Sequence, residues 1–326
     1  MKVQAIVICS SLVILMSACS SSNSPEIPPG NLSIAISDSP MSGVEHVRLV
    51  LDEMVMTNSE GQEYRFPLGD VAFNLLDYQG MDSYMVVNGL ELFPDQYHNV
   101  HFTVRQQDGN QGSWVENSQG RFDLLVDDMF LSMQDFNIGS DQHLSMTMEI
   151  NLYRSLSYDD NVFQLHHDGI YSIDNRRMGH LIGEVDPQWI MDCESEYADL
   201  ALEGGLFSHM AYLYPNNVTT QEQMADISQD RVDQRTPPIS ISPISQDMDS
   251  NWHFEMGYLA EGEYQLGYTC LGHLDDPQMD DINQGQFIIY RYSGEAVVES
   301  GENGGHQNVH QFGNGHSGGH GGGHGG

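Results

Sequence analysis

Alternation with a period of two constrains this chain more than any other feature. Leu144, Met146, Met148, Ile150 and Leu152 alternate with His143, Ser145, Thr147, Glu149 and Asn151. Successive side chains of an extended strand point to opposite faces, so the pattern predicts a strand with one buried face. Val47, Leu49 and Leu51 repeat it, as do Val100, Phe102 and Val104, and Leu32, Ile34 and Ile36. No segment shows the 3.6-residue period of a long amphipathic helix. Turn formers punctuate the strands at Asp38-Ser39-Pro40, Asp108-Gly109-Asn110 and Asn137-Ile138-Gly139. Many short strands at this spacing predict an all-β chain of two antiparallel β-sandwich domains, Ig-like or transthyretin-like.

The domain boundary falls near Arg176 to Gly179, giving a first sandwich over residues 31–176 and a smaller one over 177–293. Strands of the second are expected at Gly179–Val185, Met210–Tyr214, Trp252–Leu259, Tyr264–Cys270 and Phe287–Tyr292. Gln221 to Ser250 is polar and carries Pro237, Pro238 and Pro243, which predicts a long surface loop. Residues 294–326 are rich in Gly, His, Asn and Gln, with few apolar side chains to pack, and predict a disordered tail.

The first residues carry an address. Lys2 precedes a mostly apolar, uncharged run from Val3 to Met16, and Met16-Ser17-Ala18-Cys19 closes it with small residues before a cysteine. That is the layout of a secretory signal peptide over residues 1–18, and the run is shorter than the ~20 residues a bilayer span needs. The cysteine at the cut resembles a lipobox, which implies lipidation of Cys19 and a flexible tether over 19–30. Ser at position 20 is similar to the sorting signal of outer-membrane lipoproteins. The expected location is therefore the cell outer membrane, lipid-anchored, facing either the periplasm or the exterior.

Charge narrows the partners. Lys2 is the only lysine, ten arginines follow it, and 47 acidic residues bring the formal net charge to −36. Nucleic acid and anionic lipid surfaces are repelled by such a field, whereas cations are attracted. Screening in a salty medium relieves the self-repulsion, so the charge reads first as a solubility feature. With Cys9 in the leader and Cys19 lipidated, Cys193 and Cys270 remain, and an oxidising compartment favours their pairing. The two lie 77 positions apart. Neither a CxxC nor an HxxxC spacing supports the alternative, a metal site.

Several segments in order resemble one family. Leu32-Ser33-Ile34-Ala35-Ile36-Ser37-Asp38-Ser39-Pro40 is similar to the opening strand and Asp-Ala-Pro turn of the "domain of unknown function 4382" family. Val44 to Val55 resembles its second strand, Phe73-Asn74-Leu75-Leu76-Asp77 its Leu-Leu-Asp segment, and Leu92 to Tyr97 its Pro-Ala-Gly-x-Tyr turn. Ser39 stands where the family has Ala, and Asp95 where it has a turn glycine. The resemblance covers about Asn31 to Asp174 and implies an envelope lipoprotein with no assigned activity. Gly179 to Val185 and Gly262-Glu263-Tyr264-Gln265-Leu266 resemble, more loosely, the transthyretin-like regulatory sandwich of carboxypeptidases, which implies a structural or adhesive module.

Candidate chemistry is sparse. His306, His310, His316, His320 and His324 sit among glycines and could converge on zinc, copper or nickel, in a loose site with little selectivity. Asp275-Asp276 and Asp280-Asp281 form an acidic loop that could attract calcium, without the spacing of an EF-hand, and read first as solvated turns, like Asp127-Asp128 and Asp159-Asp160. No Gly-x-Ser-x-Gly elbow, His-Glu-x-x-His motif or phosphate loop is present. His166-His167-Asp168 could supply a base, but adjacent strand residues face opposite ways. The expected function is a non-enzymatic envelope lipoprotein that binds or assembles with another envelope protein or a polysaccharide. The alternative is an envelope metal-binding or metal-buffering protein acting through the tail. A polysaccharide hydrolase would need two carboxylates at a set separation, and acidic residues are too numerous for the sequence to select a pair.

Overall fold

The structure, a computed structural model, describes residues 27–39, 43–106, 109–228, 234–276, 279–285 and 287–300, and the backbone of 307–312. The first unit is built of thirteen strands: β1 (Gly30–Ser39), β2 (His46–Asn58), β3 (Glu63–Asn74), β4 (Tyr84–Leu92), β5 (Asp95–Val104), β6 (Trp114–Asn117), β7 (Gly120–Val126), β8 (Phe130–Ser132), β9 (Phe136–Ile138), β10 (His143–Asn151), β11 (Leu156–Asp159), β12 (Val162–Leu165) and β13 (Ile170–Asp174). One sheet has the order β13-β10-β1-β4. The other runs β11-β12-β7-β6-β2-β5-β8, with β3 paired to β2 and β9 to β5. The alternating apolar residues fill the space between them: Leu32, Ile34 and Ile36 of β1 and Leu144, Met146, Met148 and Ile150 of β10 pack with Leu49, Leu51 and Phe102 from the facing sheet. Asp95 takes no left-handed turn conformation in place of the family's glycine. It opens β5 and accepts from the Gln96 backbone N–H at 2.7 Å.

Among the described residues the second unit has two four-stranded sheets. Its elements are β14 (Met178–Val185), β15 (Met210–Pro215), β16 (Ser240–Pro243), β17 (Ser245–Gln246), β18 (Trp252–Ala260), β19 (Gly262–Thr269), β20 (Arg291–Val298) and β21 (Gln307–Phe312). They are ordered β17-β18-β14-β21 and β16-β15-β19-β20. Between the sheets lies a second core with Tyr212, Tyr214, Tyr268, Phe254 and Phe287 at its centre. The architecture is all-β, as the alternation predicts, and most pairs are antiparallel. The parallel pairs β1–β10, β7–β12 and β14–β21 are exceptions. Among the described residues no helix is long and apolar enough to cross a membrane.

Three expectations need correction. Gln221 to Ser250 is not a surface loop: Met224 to Ser228 are buried, and β16 pairs with β15 inside this stretch. The hydrophobic anchors Met224, Ile227, Ile241 and Ile244 are too widely spaced to show a period, but each reaches the core. The packed chain also continues past 293, because Ala296 and Val298 of β20 alternate into the core. Of the remaining tail only the backbone of β21 lies within the described residues. Finally, a ten-residue helix α2 (Pro187–Glu196) follows β14. Asp186 caps it by accepting from the Gln188 N–H, and Pro187 sits where a helix needs no N–H. Ile190 and Cys193 form its buried face.

Cys193 and Cys270 are joined, with Cα atoms 6.1 Å apart, both fully buried in the second core. The bond ties α2 to the end of β19 and closes a loop spanning 77 positions. Replacing both cysteines by alanine is expected to lower the stability of the second unit by about 3–4 kcal/mol, read as a lower urea midpoint. An unchanged midpoint would show that the loop is held without the bond.

Candidate functional site

The most unusual chemistry lies where the two units meet. In β1 and β10 the residues that alternate with the core set are Ser33, Ala35, Ser37 and Ser39, and Ser145, Thr147, Glu149 and Asn151. On a one-face strand these would be wet. Instead Ser37, Ser39, Thr147, Glu149 and Asn151 are all buried, and Glu149 is only 1% exposed. The parallel register sets Ser37 beside Glu149 and Ser39 beside Asn151, while β13 sets Tyr171 on the other side of Glu149. Ser39 Oγ donates to Glu149 Oε1 at 2.8 Å. Glu149 Oε2, Asn151 Nδ2 and the Tyr171 hydroxyl are buried and make no hydrogen bond among the described residues. Burial pushes the Glu149 carboxyl up to about 8. It also raises Asp38 at the end of β1, which Glu149 raises further.

The second unit provides the cover. Tyr258 sits at a bulge where the β14–β18 register slips between Gly179 and Leu181, with φ +48. Its N–H donates to His180 Nδ1 at 3.2 Å, so that nitrogen carries no proton, and burial lowers the imidazole's pKa in the same sense. Its hydroxyl donates across the seam to Met81 O at 2.9 Å. Beside it, a Cβ on Gly257 would stand 1.8 Å from Gly80 O, so only glycine allows the two backbones to close. The short helix α1 (Leu152–Ser155) stitches the units. Leu152 belongs to the first core and Tyr153 to the second, and Arg154 Nη1 donates to Pro238 O at 2.8 Å.

A groove of about 410 Å³ opens along this seam. Ile173, Leu259, Tyr171 and Tyr264 line it, and charged pairs rim it: Arg176–Asp174 at 2.5 Å and Arg177–Glu261 at 3.7 Å. Arg176 holds Asp174 below the usual carboxylate range. Such a groove can seat a side chain or a small molecule.

The candidate base is also placed. Ser157 of β11, His166 just after β12 and Asp127 just after β7 form a row across three adjacent strands. Ser157 Oγ lies 2.8 Å from His166 Nε2, and His166 Nδ1 lies 3.2 Å from Asp127 Oδ2. Gln164 Nε2 donates to the other Asp127 oxygen at 2.6 Å. His167 turns to a different carboxylate, Asp128, at 3.7 Å. The sequence flagged His166 but could not supply Ser157, because the register joining them is not legible in one strand. The order of contacts matches a nucleophile, base and orienting acid. However, a strand's N–H groups lie in the plane of the sheet, so a side chain rising from the face has none of its own strand's donors above it to stabilise an oxyanion. The row is a polar ladder on a sheet face.

Two carboxylates of the acidic loop, Asp275 and Asp281, are turned inward. Asp275 Oδ2 accepts from the Tyr212 hydroxyl at 2.6 Å and Oδ1 from the Ile227 N–H at 3.2 Å. Asp226 accepts from the N–H groups of Ser228 and Ile282, and Asp281 from that of Asp276. These carboxylates brace loops against the core, and burial pushes Asp275 up to about 8. Among the described residues no group of three or more His, Cys, Asp or Glu is arranged to hold a metal. Cys19, His306, His316, His320 and His324 lie outside the described residues. His310 falls in β21, where the backbone pairs with Gly183.

Residues 29–166 match the family "Domain of unknown function (DUF4382)", which carries the match onto the first unit. No curated protein matches the chain. Among solved structures, the Bacillus anthracis TIE protein is 12% identical, over 87% of this chain and 34% of its own, with a TM-score of 0.18. This chain thus spans about a third of that protein's length. The fimbrial anchor protein Mfa2 from Porphyromonas gingivalis is 9% identical over 74% of this chain and 78% of its own, TM-score 0.18. A putative adhesin from Bacteroides ovatus is 10% identical over 91% and 88%, TM-score 0.17. Likenesses at these scores carry no argument about function.

Glu149 makes the seam pH-dependent. Its carboxyl ionises near 4.5 in the unfolded chain and near 8 in the folded one. As pH rises through that window the unfolded state releases a proton that the folded state keeps, so stability falls, and levels off above the window. Glu149→Gln is expected to show little difference from the parent near pH 4.5 and a gain on the order of a few kcal/mol at pH 8, by denaturant unfolding. A difference that does not grow between those pH values would contradict the buried neutral carboxyl.

Proposed function

We propose that the protein is a lipid-anchored lipoprotein of the outer membrane with a non-enzymatic binding or assembly role. The observation that carries the reading is the Cys193–Cys270 bond inside the second core. A buried disulfide belongs to a chain that folds outside the reducing cytoplasm. It also leaves Cys19, in its lipobox-like setting, as the cysteine for the lipid. Two sandwiches packed through a shared seam make a stiff spacer on a tether, which suits display of a binding surface. The dense negative charge favours a cationic partner over nucleic acid or anionic lipid. The Ser157–His166–Asp127 row is assigned a structural part.

One experiment with two readouts tests this. Cys19→Ala is expected to abolish lipidation, and globomycin to leave an uncleaved precursor that does not reach the outer-membrane fraction. In the same cells a fluorophosphonate probe is expected to leave Ser157 unlabelled. Unchanged processing and fractionation would overturn the anchor, and labelling abolished by Ser157→Ala would overturn the non-enzymatic role.

A further inference from the structure

Between α2 and β15 the chain makes a small hairpin that exposes leucines. Leu202 and Leu206 face each other in a bridge, with the Leu202 N–H donating to Leu206 O at 2.8 Å. Gly204 and Gly205 turn its tip with φ +84 and +74, a left-handed conformation that glycine adopts without strain. Leu200, Leu202 and Leu206 are 42%, 46% and 64% exposed. The base is fastened firmly. Ser208 N–H donates to Cys270 O at 3.2 Å, and Gly272 N–H donates to Ser208 O at 2.9 Å, beside the disulfide. The leucines are thus held out by a rigid footing.

Their surroundings are mainly acidic, although His273 Nε2 lies 2.9 Å from Leu200 O and Arg291 acts on Tyr197. Glu196, Asp199 and Glu203 are exposed around the leucines, Asp192 and Glu194 lie just before them, and no Lys or Arg occurs between Arg177 and Arg231. The hairpin also lies beyond the ends of β14 and α2. β1 starts at Gly30, next to the tether, and reaches the seam at Ser37–Ser39. β14 passes the seam at His180 and ends at Val185, opposite Trp252, where α2 begins. β19 likewise leaves the seam at Gly262 and delivers Cys270 to the same far end.

We infer that the hairpin Leu200–Phe207 is a docking tip for a protein partner that offers an apolar socket ringed by basic side chains. Apolar contact supplies the attraction and the acidic collar selects the rim. A second copy of this chain would bring the same collar and be repelled, as would an anionic lipid surface. The orientation away from the membrane rests on the anchored reading proposed above.

The test uses the full chain in its own cells, with a photo-crosslinking residue at Leu202, at Leu206, or at the control Phe93, which is 74% exposed on the turn between β4 and β5. Leu202 and Leu206 are expected to yield the same protein adduct and Phe93 not to. The double charge reversal Asp199→Arg/Glu203→Arg should cut the yield about tenfold or more, as should raising salt from about 0.15 M to about 0.5 M. Leu200→Ser/Leu206→Ser, with the crosslinker at position 202, should remove the adduct without shifting the melting temperature. No adduct at either leucine, an adduct only with lipid or with a second copy, or an adduct indifferent to charge reversal would overturn the inference. Membrane fractionation of the same cells reads the anchor separately. If the chain is soluble yet the charge-sensitive adduct persists, the anchor falls and the docking tip stands.

Discussion

The structure depends on one sheet face being buried twice. The sheet β13-β10-β1-β4 turns its apolar residues into the first core, and its other face is covered by the second unit. That second face carries Ser39, Thr147, Glu149 and Asn151, groups that prefer water. Covering them is unfavourable unless each is hydrogen-bonded and the carboxyl among them is neutral. The Ser39–Glu149 bond meets part of that need, and retention of the Glu149 proton meets more. The seam therefore combines a buried polar face with a small apolar cluster of Ile173, Met178 and Tyr258.

Three devices hold it closed. The bulge at Tyr258 aims a hydroxyl at the Met81 carbonyl. Gly257 lets its backbone approach that of Gly80 to a distance that no side chain at 257 would permit. α1 places Leu152 in one core and Tyr153 in the other, within adjacent residues of one helix, so separating the units would pull Tyr153 out of the second core. These contacts fix the direction in which β14 and β19 leave the seam, and with it the position of the hairpin at the far end. The proposed display role rests on that fixed direction.

Much of this was legible in the chain. The alternation in β1, β2, β5 and β10 named the inward residues of the first core correctly, because the core face of a strand is set by its own apolar pattern. The cysteine pair was legible by elimination. Glu149 was not, since a strand with one wet face and a strand with a buried polar face have the same alternation, and only the second unit tells them apart. Met224 to Ser228 were missed for a related reason: three prolines and many polar neighbours outweighed a few anchors that only tertiary packing brings together. The start of α2 could have been read from Asp186-Pro187, a cap followed by the residue best suited to the first helical position. Ser157 meets His166 through the β11–β12 register, which no single segment specifies.

The central claim is that the two sandwiches form one body through the seam. Spin labels at Ser118 in the first unit and Asp249 in the second, both exposed, measure this directly by pulsed dipolar spectroscopy. The account predicts a single narrow distance distribution at neutral pH. A broad or two-peaked distribution would show that the units move independently, and would contradict it.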